Sequence, residues 1–289
     1  MHYEGNMIRP PSEANSILLQ ATVGCSHNKC TFCAAYKGVR FKIKSDDIIL
    51  KDIAYASKQF RFHRRLFICD GDGMIIPQKR LVFILKEIQK QLPWIERVGV
   101  YANAKSLSMK SLDELKELKQ LGLTIAYLGL ESGDDETLKK VHKKGDSAYM
   151  IEESVKAKKA GIKLSVTVLL GLAGRQRSQF HAEKTGMTLS AMDPDYVGAL
   201  SLMLVPGTPM YDDYANGAFQ MIEPIEMLKE LRTMIANTHL TDGLFHANHA
   251  SNYLPIRARL PHDQDRVLAQ IDDAIKGKIP LKPEYMRAL

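Results

Sequence analysis

Six short apolar segments, each followed by a helix-like stretch, constrain this chain more than any other feature of its sequence. They are Ser16–Thr22 (SILLQAT), Leu66–Asp70 (LFICD), Val98–Asn103 (VGVYAN), Thr124–Leu130 (TIAYLGL), Leu164–Leu172 (LSVTVLLGL) and Tyr196–Val205 (YVGALSLMLV). Several are apolar on both faces, as parallel strands covered by helices must be. Helix signals fall between them. Ser45 suits an N-cap, and Asp46 and Asp47 place negative charge in the first turn of a helix running to about Phe60. Pro77 opens a second helix that ends near Pro93. Leucines at 112, 115, 118 and 121 form a helical stripe stopped by Gly122. Further helical patterns cover Asp135–Gly145, Ala148–Gly161, Arg177–Met192 and Pro224–His239. Six β/α repeats without a hairpin signal predict an α/β chain, a partial (β/α)6 TIM-like barrel. A doubly wound open sheet has the same periodicity, so the motifs must decide between the two.

Residues 1–240 form the expected barrel with its lead-in. Residues 241–289 read as a loop-like C-terminal extension with one helix near Asp263–Lys276, packed on the barrel and not an independent domain. The length of 289 residues accommodates this. No segment approaches the roughly 20 continuous apolar residues of a membrane span. The first residues lack the apolar run of a signal peptide. The expectation is a cytoplasmic protein with no membrane partner. In that compartment clustered cysteines point to metal or catalysis rather than to disulfides. The net charge is +7, but the lysines sit mostly on helix faces that water solvates, so nucleic acid is not favoured as a partner.

Residues 25–33 read CSHNKCTFC. The spacing C-x4-C-x2-C falls in the loop after the first strand, at the carboxyl end of the sheet, where parallel α/β proteins place their chemistry. Three thiolates can bind three irons of a 4Fe–4S cube and leave the fourth iron open. They can equally form a zinc site completed by His27 or Cys69. In the second case the chain would be a zinc- or iron-stabilised barrel that binds RNA or a protein partner without radical chemistry. Cys69, inside an apolar strand, reads as a packing residue.

Taken with the strand ends that follow, this loop resembles the radical S-adenosylmethionine (radical SAM) superfamily, in its coproporphyrinogen-oxidase-like, GLESG-containing branch. The hallmark there is three cysteines after the first strand, usually C-x3-C-x2-C, with an aromatic residue before the third. Phe32 holds that place, and the spacing here is one residue longer. The second strand ends CDGDG, Cys69 to Gly73, where the family has a glycine-rich turn that grips the amino group of S-adenosylmethionine. The resemblance assigns that grip to Gly71, Asp72 and Gly73, with Asp72 supplying a charge-assisted bond to the ammonium. Asn103 ends the third strand, as a ribose or substrate contact or as a cap. GLESG at 129–133 resembles the segment that places Glu131 and Ser132 by the ribose and methionyl parts, with Lys143 for the carboxylate. The fifth strand runs into Gly171 and Gly174, implying adenine against backbone, with Arg175 as an anion contact. Pro206–Pro209 resembles the PGTP turn of the same branch.

The resemblance implies a 4Fe–4S cluster on Cys25, Cys30 and Cys33, and S-adenosyl-L-methionine at the open iron. It implies reductive cleavage to a 5′-deoxyadenosyl radical, which abstracts hydrogen from a small-molecule or peptide substrate that the sequence does not name. An electron donor such as flavodoxin or ferredoxin is required. Tyr36, Arg40 and Lys42 follow the cysteine loop and are candidate substrate contacts. His246, Asn248, His249, Asn252 and Tyr253 lie in one loop-like run of the tail. They read as a substrate cover, His246 and His249 foremost, or as a hydrogen-bonded structural loop. No cysteine is left over for an auxiliary cluster.

Overall fold

A computed structural model describes residues 1–288. In chain order the strands are β1 (Ile17–Leu19), β2 (Thr22–Val23), β3 (Lys42–Ile43), β4 (Arg65–Ile68), β5 (Arg97–Ala102), β6 (Leu123–Glu131), β7 (Lys163–Leu170), β8 (Tyr196–Ser201), β9 (Gly243–Ala247) and β10 (Ile256–Leu260). The helices are α1 (Asp46–Gln59), α2 (Gln78–Gln91), α3 (Ala104–Ser108), α4 (Leu112–Gln120), α5 (Asp135–Lys140), α6 (Ser147–Lys159), α7 (Gly174–Met192), α8 (Pro209–Ala215), α9 (Pro224–Ala236) and α10 (Gln264–Ile275). Two compact units divide the chain. The first comprises Met1–Asn28, Ala35–Leu128 and Glu153–Leu164; the second comprises Lys29–Ala34, Gly129–Glu152 and Ser165–Leu289.

In the first unit β1, β4, β5 and β6 pair in that order, all parallel, with Leu18 beside Phe67, Phe67 beside Gly99 and Gly99 beside Ile125. Gly99 is there for space, since a Cβ would stand 3.1 Å from the Phe67 ring and 3.2 Å from Ile125. Phe67 is fully buried and meets Tyr101 and Tyr127 edge-on, at centroid distances of 5.0 and 5.4 Å. Edge-to-face pairs of this kind add to the burial of their own area. One polar group sits beneath them. Glu13 is wholly buried and takes bonds from Arg97, Ser16 and the Tyr127 hydroxyl, so its charge is compensated inside the core.

The helix signals carry through. The Ser45 hydroxyl accepts the Ile48 N–H at the start of α1. Pro77 is the N-cap of α2. Ser111 and Glu114 close a capping box on α4, each side chain taking the other's backbone N–H. The first expected strand is not continuous. The Ala21 N–H turns back to the Leu19 carbonyl at 3.1 Å, and β2 leaves to pair antiparallel with β3. The break falls at Gln20, whose buried amide is committed to Asp70 at 2.6 Å.

In the second unit β7, β8 and β9 pair in parallel, and β10 runs antiparallel to β9. This corrects the expectation of a loop-like tail after Asp242 and of a chain without antiparallel pairs. β9 is a seventh parallel strand and β10 turns back along it. Alternate residues of β10 are buried, Ile256, Ala258 and Leu260, while Arg257 and Arg259 face water. The period is that of a half-buried strand, masked in sequence by its two arginines. The expected final helix is present as α10. Helix α7 packs on α9 and α9 on α10. At Gly186 a Cβ would lie 2.6 Å from the Met234 carbonyl, so only glycine lets α7 and α9 approach this closely. Among the described residues no helix is long and apolar enough to cross a membrane.

Phe67→Ala is expected to remove about 3–5 kcal/mol of stability, the usual cost of opening a cavity for a buried phenyl ring. Ser111→Ala, which removes only one cap, is expected to cost about 1 kcal/mol. Urea denaturation followed by circular dichroism measures both, and the larger loss must belong to Phe67.

Candidate active site

Polar side chains inside these units gather at the carboxyl ends of the strands. In the first unit the chain leaves β2 through Gly24, whose φ of 81° suits glycine, and Cys25 follows, half-buried. Asn28 is held in the left-handed region at a φ of 45°. Its amide donates to the Tyr36 carbonyl at 2.7 Å, and its backbone N–H points to Cys25 Sγ at 3.5 Å. The Asx side chain thus substitutes for secondary structure in the cysteine loop.

The turn after β4 packs against this loop. The Gly71 N–H donates to the Gly24 carbonyl at 3.1 Å. A Cβ on Gly71 would lie 2.8 Å from both Cα and Cβ of Cys25. Gly73 is required for a different reason, because a Cβ there would strike Val100 at 2.7 Å and Ile68 at 2.8 Å. Between the two glycines Asp72 is wholly buried. Its Oδ2 accepts from Ser26 at 2.6 Å and from Asn103 at 2.7 Å. Its Oδ1 is buried and makes no hydrogen bond of good geometry, although the Ser106 hydroxyl and the Ile75 N–H also favour the carboxylate. Burial pushes the Asp72 carboxyl up from 3.8 to about 6, against hydrogen-bond donors led by Ser26. Lys110, buried nearby and donating to the Ile76 carbonyl at 2.9 Å, is lowered by its own burial, with Glu114 and Asp72 opposing. Asn103 thus does two things, capping α3 through Ser106 and holding Asp72.

Cys69 is fully buried and burial pushes its thiol upward, in keeping with a packing role. Tyr36 is buried with its hydroxyl on Asp70 at 3.3 Å, in a network with Gln20 and Lys44 that sequence reading missed. Arg40 is exposed, and Lys42 pairs with Glu4 at 2.7 Å.

In the second unit the segment with Cys30 and Cys33 is tied down by backbone bonds. The Thr31 N–H donates to the Val141 carbonyl at 3.0 Å, and its own carbonyl accepts the Met210 N–H at 3.1 Å. Phe32 packs on the cluster formed by Val141, Leu172, Leu202 and Met210. The aromatic residue between these cysteines therefore anchors the segment by burial, and the turn after Pro206 anchors it by hydrogen bonding.

After β6, Glu131 has a φ of 65° and its carboxylate meets Lys143 at 2.9 Å. The carboxylate folds back over Gly129, where a Cβ would be 2.1 Å from Glu131 Oε1. Ser132 is buried, its hydroxyl 2.8 Å from His181 Nδ1. Asp134 caps α5 and takes a two-pronged bond from Arg177, at 2.8 and 2.9 Å, which holds its carboxyl down at about 2 against its burial. Gly171, with a φ of 81°, donates its N–H to the buried Glu230 carboxylate at 2.6 Å. Gly174 opens α7 at a φ of 65°. Arg175 is exposed and pairs with Glu226 at 3.2 Å.

In the tail His246 stands on β9 rather than in a loop, and burial lowers its pKa, with Arg257 second. The His249 ring bonds the Ser251 hydroxyl at 2.9 Å, and burial lowers its pKa too. Asn252 staples Ser201 and the Ala199 carbonyl, each at 2.8 Å. Tyr253 bonds Glu284 at 2.6 Å beneath the Arg287 guanidinium, which lies 4.1 Å over its ring. His249 and Tyr253 are thus committed within the tail's own network, while Asn252 ties the tail to β8.

The donor chemistry fits an iron–sulfur cluster and its ligand. Three cysteines stand within nine residues, and a buried carboxylate with one oxygen lacking a hydrogen bond of good geometry lies in the turn packed on the first of them. Among the described residues no three His, Cys, Asp or Glu side chains converge as a single metal ion would require. A cube makes a different demand, because each thiolate takes its own iron.

The radical SAM superfamily model matches residues 19–182, more than half of the chain. An uncharacterized protein of Methanocaldococcus jannaschii, MJ0486, is 26% identical over 214 residues, 70% of this chain and 65% of that protein. The heme chaperone HemW of Bacillus subtilis is 25% identical over 179 residues, 61% of this chain and 45% of that protein. The chain thus spans less than two thirds of the length of either curated relative. Among solved structures, coproporphyrinogen III oxidase (HemN) from Escherichia coli, a radical SAM enzyme, superposes with a TM-score of 0.56 at 15% identity, covering 76% of this chain and 51% of that one. That likeness shows the fold, a TIM-like partial barrel in place of the doubly wound sheet. The chain, from the end of β1 into the first half of α7, belongs to the radical SAM superfamily of enzymes, which bind a 4Fe–4S cluster and S-adenosylmethionine.

Proposed function

We propose that Cys25, Cys30 and Cys33 hold the 4Fe–4S cluster and that the turn Gly71-Asp72-Gly73 takes the amino group of S-adenosylmethionine. The observation that carries this reading is Asp72, a wholly buried carboxylate with one oxygen lacking a hydrogen bond of good geometry, in the turn packed on Cys25. Together, when bound, cluster and cofactor supply a reductive cleavage that yields a 5′-deoxyadenosyl radical able to take hydrogen from an unactivated C–H bond.

The chain's own residues bind, orient and exclude water. Asp72 accepts from the cofactor's ammonium through Oδ1, while Ser26 and Asn103 keep Oδ2 in place. Gly71 keeps the backbone open to the ligand. Gly73 contributes by letting the turn sink against Val100 and Ile68. Phe32 fixes the segment that bears Cys30 and Cys33. Glu131 and Lys143, already paired, offer an acceptor and a cation to the ribose and the carboxylate. Gly171 and Ser132 shape the adenine and methionyl side, and Arg175 meets an anion at its edge. His246, His249, Tyr36 and Arg40 are proposed to lie toward the substrate, a small molecule or peptide. A flavodoxin or ferredoxin supplies the electron, in the cytoplasm. Residues 241–289 serve the barrel as an extension rather than as a domain of their own.

A triple Cys25→Ala, Cys30→Ala, Cys33→Ala protein, reconstituted anaerobically with iron and sulfide, is expected to hold no cluster absorbance near 400 nm and to make no 5′-deoxyadenosine. If it produced 5′-deoxyadenosine at the parental rate with dithionite, the ligand assignment would be wrong.

Asp72→Asn is expected to weaken S-adenosylmethionine binding by tenfold or more, since a charge-assisted bond contributes about 1.5–3 kcal/mol. The sign of its pH dependence follows from burial. The folded protein binds the Asp72 proton more tightly than the unfolded chain does, so this stabilising contribution is complete below pH 3.8 and is lost as pH rises through about 6. Cluster-free protein is therefore expected to lose stability across that window, while cofactor affinity, which needs the carboxylate, rises across it. Thermal melts from pH 4 to 7 and equilibrium dialysis from pH 5 to 7.5 measure the two slopes, and Asp72→Asn should flatten both.

A further inference from the structure

Another buried acid, Glu230, has no place in the reading above. Glu230 lies on α9, away from the cysteine loop in sequence, with its side chain wholly out of solvent. Its Oε1 accepts the Gly171 N–H at 2.6 Å, and its Oε2 accepts the Ser178 hydroxyl. His181 on α7 is also wholly buried, with Nε2 3.4 Å from Glu230 Oε1 and Nδ1 2.8 Å from the Ser132 hydroxyl. Ser132 Oγ also accepts the Asp134 N–H at 3.0 Å, and Thr185 Oγ1, 3.4 Å from Nδ1, accepts the Gly133 N–H at 2.9 Å. His181 Nε2 faces Glu230 Oε1 as a close polar contact without the geometry of a hydrogen bond. The result is one chain of polar contacts, from the turn after β6 through Ser132, His181 and Glu230 to Gly171 at the end of β7.

We infer that His181 and Glu230 form a buried strut that sets the turn after β6 against the turn after β7, and that cofactor affinity depends on it through Ser132 and Gly171. The inference rests on the reading that these two turns flank S-adenosylmethionine. Stability alone does not call for such a pair, because well-packed apolar residues can often replace buried polar or charged groups at no loss. What apolar residues cannot do is accept the Gly171 N–H or receive the Ser132 hydroxyl. Ser132, His181 and Glu230 also carry the residue types of a hydrolytic triad. All three are buried, however, and the Ser132 oxygen is already occupied by the Asp134 N–H, so no external acyl group can reach it. His181 and Glu230 are positioning residues that act through the two turns.

The test uses the full chain, reconstituted anaerobically, with S-adenosylmethionine binding measured by equilibrium dialysis. The electron paramagnetic resonance spectrum of the reduced cluster is recorded with and without the cofactor. His181→Ala and Glu230→Ala are each expected to raise the Kd about tenfold, the scale of one or two misplaced hydrogen bonds. Their iron content and cofactor-free spectrum should match the parent. Glu230→Gln keeps an acceptor for Gly171 and should stay within about threefold of the parent. Leu231→Ala, a cavity in the same helix, should lower the melting temperature without moving the Kd. If an alanine variant does not fold, His181→Asn, which keeps a group opposite Ser132 but cannot reach Glu230, takes its place with the same expectation. Parental Kd values in the His181 and Glu230 variants overturn the strut, as does an equal loss of affinity in Leu231→Ala. Failure of the parent itself to bind S-adenosylmethionine would instead bring down the reading beneath it.

Discussion

Burial of the parallel strands on both faces is the constraint from which the rest follows. A strand such as β4, with Leu66, Phe67 and Ile68 all out of solvent, has no face left for a polar side chain. Polar groups are then admitted only where the strand stops, and each must bring its own partners. The ends of β4, β5, β6 and β7 show it. Asp70 and Asp72 after β4, Asn103 after β5, Glu131 and Ser132 at β6 and Gly171 after β7 all stand in hydrogen-bonded turns. Inside the core, Glu13 is held by Arg97, Ser16 and Tyr127, and Glu230 by the Gly171 N–H and the Ser178 hydroxyl.

The sequence made much of this legible, for identifiable physical reasons. Strands buried on both faces produce unbroken runs of Ile, Leu and Val, and such runs located six of the parallel strands. Helix starts were readable because their signals are local: Ser45, Pro77 and Ser111 act within one turn of themselves. The seventh strand and its antiparallel partner were not readable. The alternation in β10 is carried by Ile256, Ala258 and Leu260 against two arginines, a pattern too short and too polar to stand out from a loop. The break between β1 and β2 was hidden for a related reason, since it depends on Gln20 reaching a residue fifty positions away.

The candidate site divides in the same way. Cysteine spacing, glycine-rich turns and the GLESG segment are contiguous strings, so they could be matched to a known pattern. His181, Glu230 and Glu13 are single polar residues within amphipathic stretches, and nothing in their neighbourhoods distinguishes them from surface positions. A buried acid in a helix that otherwise buries Met227, Leu228, Leu231, Met234 and Ile235 is the one signal that three-dimensional placement adds. Arg175 was also legible as a string: its place suggests an anion contact, and its side chain stands exposed beside Glu226 at 3.2 Å.

The contact between Gly71 and Cys25 bears on how this turn tolerates change. A methyl group at 71 collides with backbone of the cysteine loop, and one at 73 collides with two strands, whether or not any ligand is bound. Intolerance at either glycine is thus a property of the bare polypeptide. Asp72 is the opposite: an amide fits where the carboxylate is, and only charge distinguishes them. Within three consecutive residues, the limits on substitution therefore have two separate origins, geometric at the flanks and electrostatic at the centre.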